Sequence, residues 1–162
     1  MMNKLTAVIP ILTLLSCTQP NDKLNQLQKQ VDSLETELSN SYKPGFGDLM
    51  SSIQNHHSKL WFAGINHNWK LADFEVHEII ELFDDIKEYQ SEREETKEID
   101  MVNPELDKIK NAVNNKNLTS FKNNYKQLTN SCNQCHKITK FEFNIVKIPT
   151  KQIFSNQEFK IK

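Results

Sequence analysis

The sequence predicts an all-α protein: an antiparallel four-helix bundle, preceded by a heptad helix and followed by an extended tail. Three observations predict it. Apolar residues recur at spacings of three and four along five successive segments, the pattern of helices that bury one face. Glycine is scarce, three in 162 residues, which argues against an all-β fold full of tight turns. Turn-forming runs, Tyr42 to Gly47, Gly64 to Asn68 and Asn114 to Asn117, separate the segments.

Met1 to Ser16 reads as a signal peptide. Lys4 supplies a short positive region, and Leu5 to Leu15 is apolar but too short for a stable membrane span. The run Leu14-Leu15-Ser16-Cys17 resembles a bacterial lipobox, which implies that Cys17 is acylated and becomes the lipid anchor. The alternative is an ordinary signal peptide with an incidental cysteine. The expected address is the bacterial cell envelope, lipid-anchored and facing the periplasm. Thr18 in place of Asp slightly favours the outer membrane.

From Lys23 to Ser39, Leu24, Leu27, Val31, Leu34 and Leu38 form a heptad seam. It covers about two heptads, fewer than a confident coiled coil needs, so self-association stays open. The preferred reading is a stalk. A helix docked on the domain, or a linker, are the alternatives. The expected organisation is a signal peptide over 1–16, anchor, stalk and linker over 17–46, a cofactor-binding bundle over 47–137 and a tail over 138–162.

The first bundle helix is expected from Asp48, as N-cap, to Ala63. Met50, Ile53, His57, Leu60 and Gly64 form its inward row, and Leu49 and Trp61 widen the stripe. The second, Trp69 to Tyr89, buries Trp69, Ala72, Val76, Ile79, Phe83 and Ile86 and carries charge on its other face. Glu92 to Glu98 reads as a solvated helix end or loop. Pro104 suits the first turn of a short third helix, with Leu106, Ile109 and Val113 inward. The fourth helix places Leu118, Phe121, Tyr125, Leu128, Cys132 and Cys135 on one row. His136, four residues after Cys132, lies on nearly the same face.

That last row ends in the most informative motif of the chain, Cys132-Asn133-Gln134-Cys135-His136. CxxCH is the attachment pattern of c-type haem: two thiols form thioethers with the porphyrin, and the adjacent imidazole supplies an axial bond to iron. A structural zinc site wants four ligands, and the chain has no second cysteine pair. A thioredoxin-like dithiol would sit beside a βαβ pattern, which is absent. One covalent haem c, held by Cys132 and Cys135 with His136 axial, is the expected cofactor.

The iron's sixth position has three candidates. Met50 is proposed first. His57 is the alternative, two turns along the same row and about 10.5 Å away, so both cannot ligate one iron. The third is no protein ligand at all. His56 is expected to be exposed, and His67 and His77 to face solvent. After the motif, Phe141, Phe143, Ile145 and Ile148 alternate, suggesting an extended strand or strap that covers a haem edge or packs on the bundle.

The stretch from Phe121 through Tyr125 and Leu128 to Ser131-Cys132-Asn133-Gln134-Cys135-His136 is similar to the end of the last helix in four-helix-bundle cytochromes of the cytochrome c-prime class. The resemblance covers roughly residues 48–137, and the tail departs from it. It implies Met50 as sixth ligand, by analogy with the methionine-ligated members, and an openness to homodimerisation through the first two helices. The function expected is a membrane-anchored monohaem c-type cytochrome that carries single electrons between periplasmic or membrane redox partners. It is not expected to be an enzyme. A formal net charge of −1 gives no footprint for nucleic acid. The alternatives are a five-coordinate haem protein binding NO or CO as sensor or scavenger, and an envelope lipoprotein without haem whose cysteine pair is a disulfide.

Overall fold

A computed structural model describes residues 22–41 and 43–161, so the signal peptide and Cys17 lie outside the described residues. The chain divides into two compact units, Met1–Tyr42 and Lys43–Lys162. The described part of the first is one helix, α1 (Asp22–Ser41). Its apolar row is present as expected and solvated: Leu24, Leu27, Val31, Leu34 and Leu38 are all exposed.

The second unit is helical throughout its regular structure, with no strand among the described residues. Its elements are α2 (Phe46–Ile65), α3 (Trp69–Tyr89), α4 (Glu94–Lys97), a 3-10 turn (Ile99–Val102), α5 (Asn103–Asn114) and α6 (Leu118–Ile138). Helix α2 starts two residues before the expected Asp48, which stands inside the first turn, where a carboxylate favours the helix dipole. Distant partners cause the early start. The Arg93 guanidinium sits 4.6 Å from the centre of the Phe46 ring, and Gln90 Nε2 donates to Pro44 O at 2.8 Å.

Two asparagine caps fix the tight connections. Asn68 Oδ1 accepts from Leu71 N, and Asn117 Oδ1 accepts from Ser120 N, each satisfying an amide that the first helical turn leaves free. The residue before each cap, His67 and Lys116, takes a left-handed conformation to reverse the chain. Between α3 and α5 the charged run forms α4, which buries nothing, but the 3-10 turn after it puts Ile99 and Val102 into the core.

Helix α2 packs on α3, α3 on α5, α5 on α6 and α6 back on α2. The core between them holds Leu60, Val76, Ile79, Ile86, Leu106, Ile109, Phe121, Tyr125 and Leu128. Gly64 allows α2 and α6 to approach closely, since a Cβ there would overlap the Phe121 ring.

The tail is neither a strand nor a period-two strap. Helix α6 ends in a Schellman turn: Lys140 is left-handed at φ 66°, Phe141 N donates to His136 O, and Lys140 N to Lys137 O. The chain then runs back irregularly over the unit. Phe143 and Ile145 point into solvent, and the residues that pack are Ile148, Phe154 and Phe159. Phe159 is fully buried with its ring 5.7 Å from that of Phe62, and Lys59 Nζ lies 5.0 Å from the centre of the Phe154 ring. Irregular backbone replaces alternation because the anchors are widely spaced and no neighbouring strand offers a ladder.

Candidate functional site

Five separate parts of the unit converge on one cleft of about 70 Å³. Helix α6 contributes Cys132, Cys135 and His136; α2 contributes Met50, Ile53, Gln54 and His57; α3 contributes Phe83; the 3-10 turn adds Ile99 and Val102; and the tail adds Asn144 and Val146. A second cleft of about 200 Å³ shares Met50, Gln54, Cys135, His136 and Asn144 with it. The shared walls make the two a single recess. Cys132, Cys135, His136 and both candidate sixth ligands therefore line one recess.

The thiols are in their inert form. Burial pushes Cys132 up to about 12, with the neighbouring Cys135 adding to the shift. Cys135 is raised as well, by burial first and then by Glu98 and Glu95. Catalytic dithiols need the opposite, an electropositive setting that lowers the thiol pKa. Nor does the cluster resemble a protein-built metal centre: among the described residues no three His, Cys, Asp or Glu side chains gather round one point.

His136 is held from behind. Its Nδ1 donates to the backbone carbonyl of Asn144 at 2.6 Å, which fixes the tautomer and leaves the Nε2 lone pair for a ligand. His57 is placed differently. It is buried, and both ring nitrogens are engaged, Nδ1 with Tyr125 Oη at 2.9 Å and Nε2 with Thr129 Oγ1 at 3.0 Å. Tyr125 Oη also reaches His57 O at 2.7 Å, and Thr129 Oγ1 donates to Tyr125 O at 2.9 Å. Burial holds the imidazole neutral, with its pKa down at about 4. As arranged, His57 cross-links α2 to α6, whereas the Met50 thioether has no such engagement. Met50 is partly buried against the core.

His56 departs from expectation. It is part-buried, and its Nδ1 lies 2.6 Å from Glu75 Oε2 across the α2–α3 contact. Glu75, on the supposedly charged face of α3, is fully buried, and that burial raises its pKa. His67 is exposed, and His77 is half-exposed beside Asp73.

Sequence reasoning let the tail cover an edge of the site but missed the contact through which it does so. Asn133, the first spacer residue of the motif, uses both ends of its amide on Val146: Nδ2 donates to Val146 O and Oδ1 accepts from Val146 N, each at 2.8 Å. The asparagine was visible, but its backbone partner carried no signal.

The donor set fits a covalently attached haem. Two thiols lie one helical turn apart, an imidazole is oriented by its other nitrogen, a thioether shares the recess, and the remaining walls are largely apolar. Searches for related protein families, curated relatives and solved structures give no match to this chain.

Proposed function

We propose that the chain is a membrane-anchored monohaem c-type cytochrome that carries single electrons in the bacterial envelope, its four long helices forming an antiparallel bundle of the cytochrome c-prime class. The observation that carries this reading is the recess in which Cys132, Cys135, His136 and Met50 meet. The closed round of packing α2–α3–α5–α6 supports the bundle.

Cys132 and Cys135 would hold the haem through thioethers, His136 Nε2 would be one axial ligand, and the Met50 sulfur would be the other. Bound there, haem c supplies one-electron exchange at its iron. The chain's own residues do the rest. Ile53, Phe83, Ile99 and Val102 exclude water from the recess, Asn144 O orients His136, and the His57–Tyr125–Thr129 bonds hold the two ligand-bearing helices in register. Cys17 anchors the protein, and its partners are periplasmic or membrane redox proteins. The exposed seam of α1 is suited to a stalk or to homodimerisation.

The test is an optical spectrum of the protein, without residues 1–17, produced with the c-type haem ligation machinery and recorded in both oxidation states with and without CO. Low-spin reduced bands unmoved by CO are expected, and Met50→Ala should convert them to high-spin, CO-sensitive bands with the haem still attached. CO-sensitive bands in the unmutated protein would move the reading to an NO or CO binder. No denaturation-resistant haem, or its survival in the Cys132→Ala, Cys135→Ala double variant, would overturn it.

A further inference from the structure

The motif's first spacer residue and the tail form a device that the haem motif itself does not require. The Schellman turn at Lys140 sends the chain back along the end of α6. Residues 144–146 then lie against the motif and are tied to it by three hydrogen bonds, while Asn144 N also donates to Phe141 O at 2.9 Å. His136 Nδ1 reaches Asn144 O at 2.6 Å, and the Asn133 amide spans Val146 N and Val146 O at 2.8 Å each. The Asn133 pair mimics the two-bond pairing of adjacent strands, with one side chain replacing a whole backbone partner. The bond to Phe141 O holds Asn144 on its N-terminal side, and the Asn133 clamp holds the chain on its C-terminal side. Two residues further on, Val146 is locked in both directions, and the carbonyl of Asn144 inherits that position.

We propose that Asn133 is a positioning residue for His136: by clamping Val146 it fixes the Asn144 carbonyl on Nδ1, and so sets the basicity of Nε2 toward whatever that nitrogen ligates. The inference rests on the cytochrome reading for its metal. A donor bond from Nδ1–H to a fixed carbonyl makes the imidazole a stronger electron donor, which favours the ferric state. Releasing the carbonyl weakens the donor and raises the reduction potential.

Gln134 is the internal control, since it occupies the other spacer position and is exposed. The experiment compares the matured protein with Asn133→Ala and Gln134→Ala, and measures denaturation-resistant haem, the reduction potential and the exchange of the Val146 amide. Asn133→Ala should keep its haem, lose protection at Val146, and shift the one-electron equilibrium roughly tenfold toward the reduced form, about 59 mV upward. Gln134→Ala should match the parent in all three. Asn133→Asp, which keeps the acceptor for Val146 N but loses the donor to Val146 O, should fall between. Lost protection at Val146 with an unchanged potential would make the clamp merely structural and overturn the proposal. Unchanged protection would show that Asn133 does not hold the tail and would overturn it too. Absence of haem from the parent protein would instead remove the cytochrome reading, and the proposal with it.

Discussion

At the scale of single residues, His57 shows how one side chain can be read two ways. Its position on the inward row of α2 suits a ligand, but its surroundings are those of a neutral, hydrogen-bonded core group. Neutrality has a consequence for stability. With a folded pKa of about 4 against 6.5 in the unfolded chain, only the unfolded chain takes up this proton between those values. Stability therefore falls as pH drops from 6.5 toward 4, by roughly 3 kcal/mol from this group, and the loss levels off below. Glu75 works in the opposite sense, because its raised pKa favours the protonated folded form. Comparing urea unfolding of the parent and His57→Gln between pH 7 and pH 4 separates the two. The variant should be less stable at neutral pH and flatter with pH; identical slopes would mean that His57 is not the group responsible. The row of α2 was legible because it repeats at three and four. The role of His57 was not, because Tyr125 and Thr129 lie 68 and 72 residues away in sequence and nothing local announces them.

Among the elements, α3 was legible to its ends, since Asn68 caps it and its apolar row runs to Ile86 without interruption. Helix α2 was less so, because Phe46 joins it through a contact with Arg93 from the far side of α3. Helix α6 combines both cases. Its buried row and the motif at its end were plain, but its exit was not, because Lys140 is not a residue type that announces a left-handed turn. That conformation strains a side chain with a Cβ and suits glycine. Lys140→Gly should therefore stabilise the protein by about 0.5–1 kcal/mol in chemical unfolding without altering the clamp on His136. A destabilised variant would mean that the Lys140 side chain makes a contribution larger than its strain.

For the whole molecule, the division at Tyr42 and Lys43 separates a helix that buries no apolar row from a unit that holds the entire described core. Residues 43–162 alone should fold with the same cooperativity and denaturant midpoint as the chain that includes α1, measured by circular dichroism in urea. A marked fall in the midpoint would show that α1 supports the core. The alternating residues of the tail suggested an extended strap that covers a haem edge or packs on the bundle, and gave no sign of which residue would anchor it. It packs: Phe159 closes part of the core beside Phe62, so the unit extends almost to the end of the described chain.

On the cytochrome reading, the return of the tail across Cys132 to His136 also imposes an order of events on a newly made chain. Once residues 144–146 have settled, Asn133 and His136 are tied down and Cys135 is enclosed. Any enzyme that attached haem to Cys132 and Cys135 would have to grip this stretch while it is still open. On the cytochrome reading, attachment belongs to the unfolded precursor, and seating of the tail is the last act of maturation, the step that commits the finished protein to its fold.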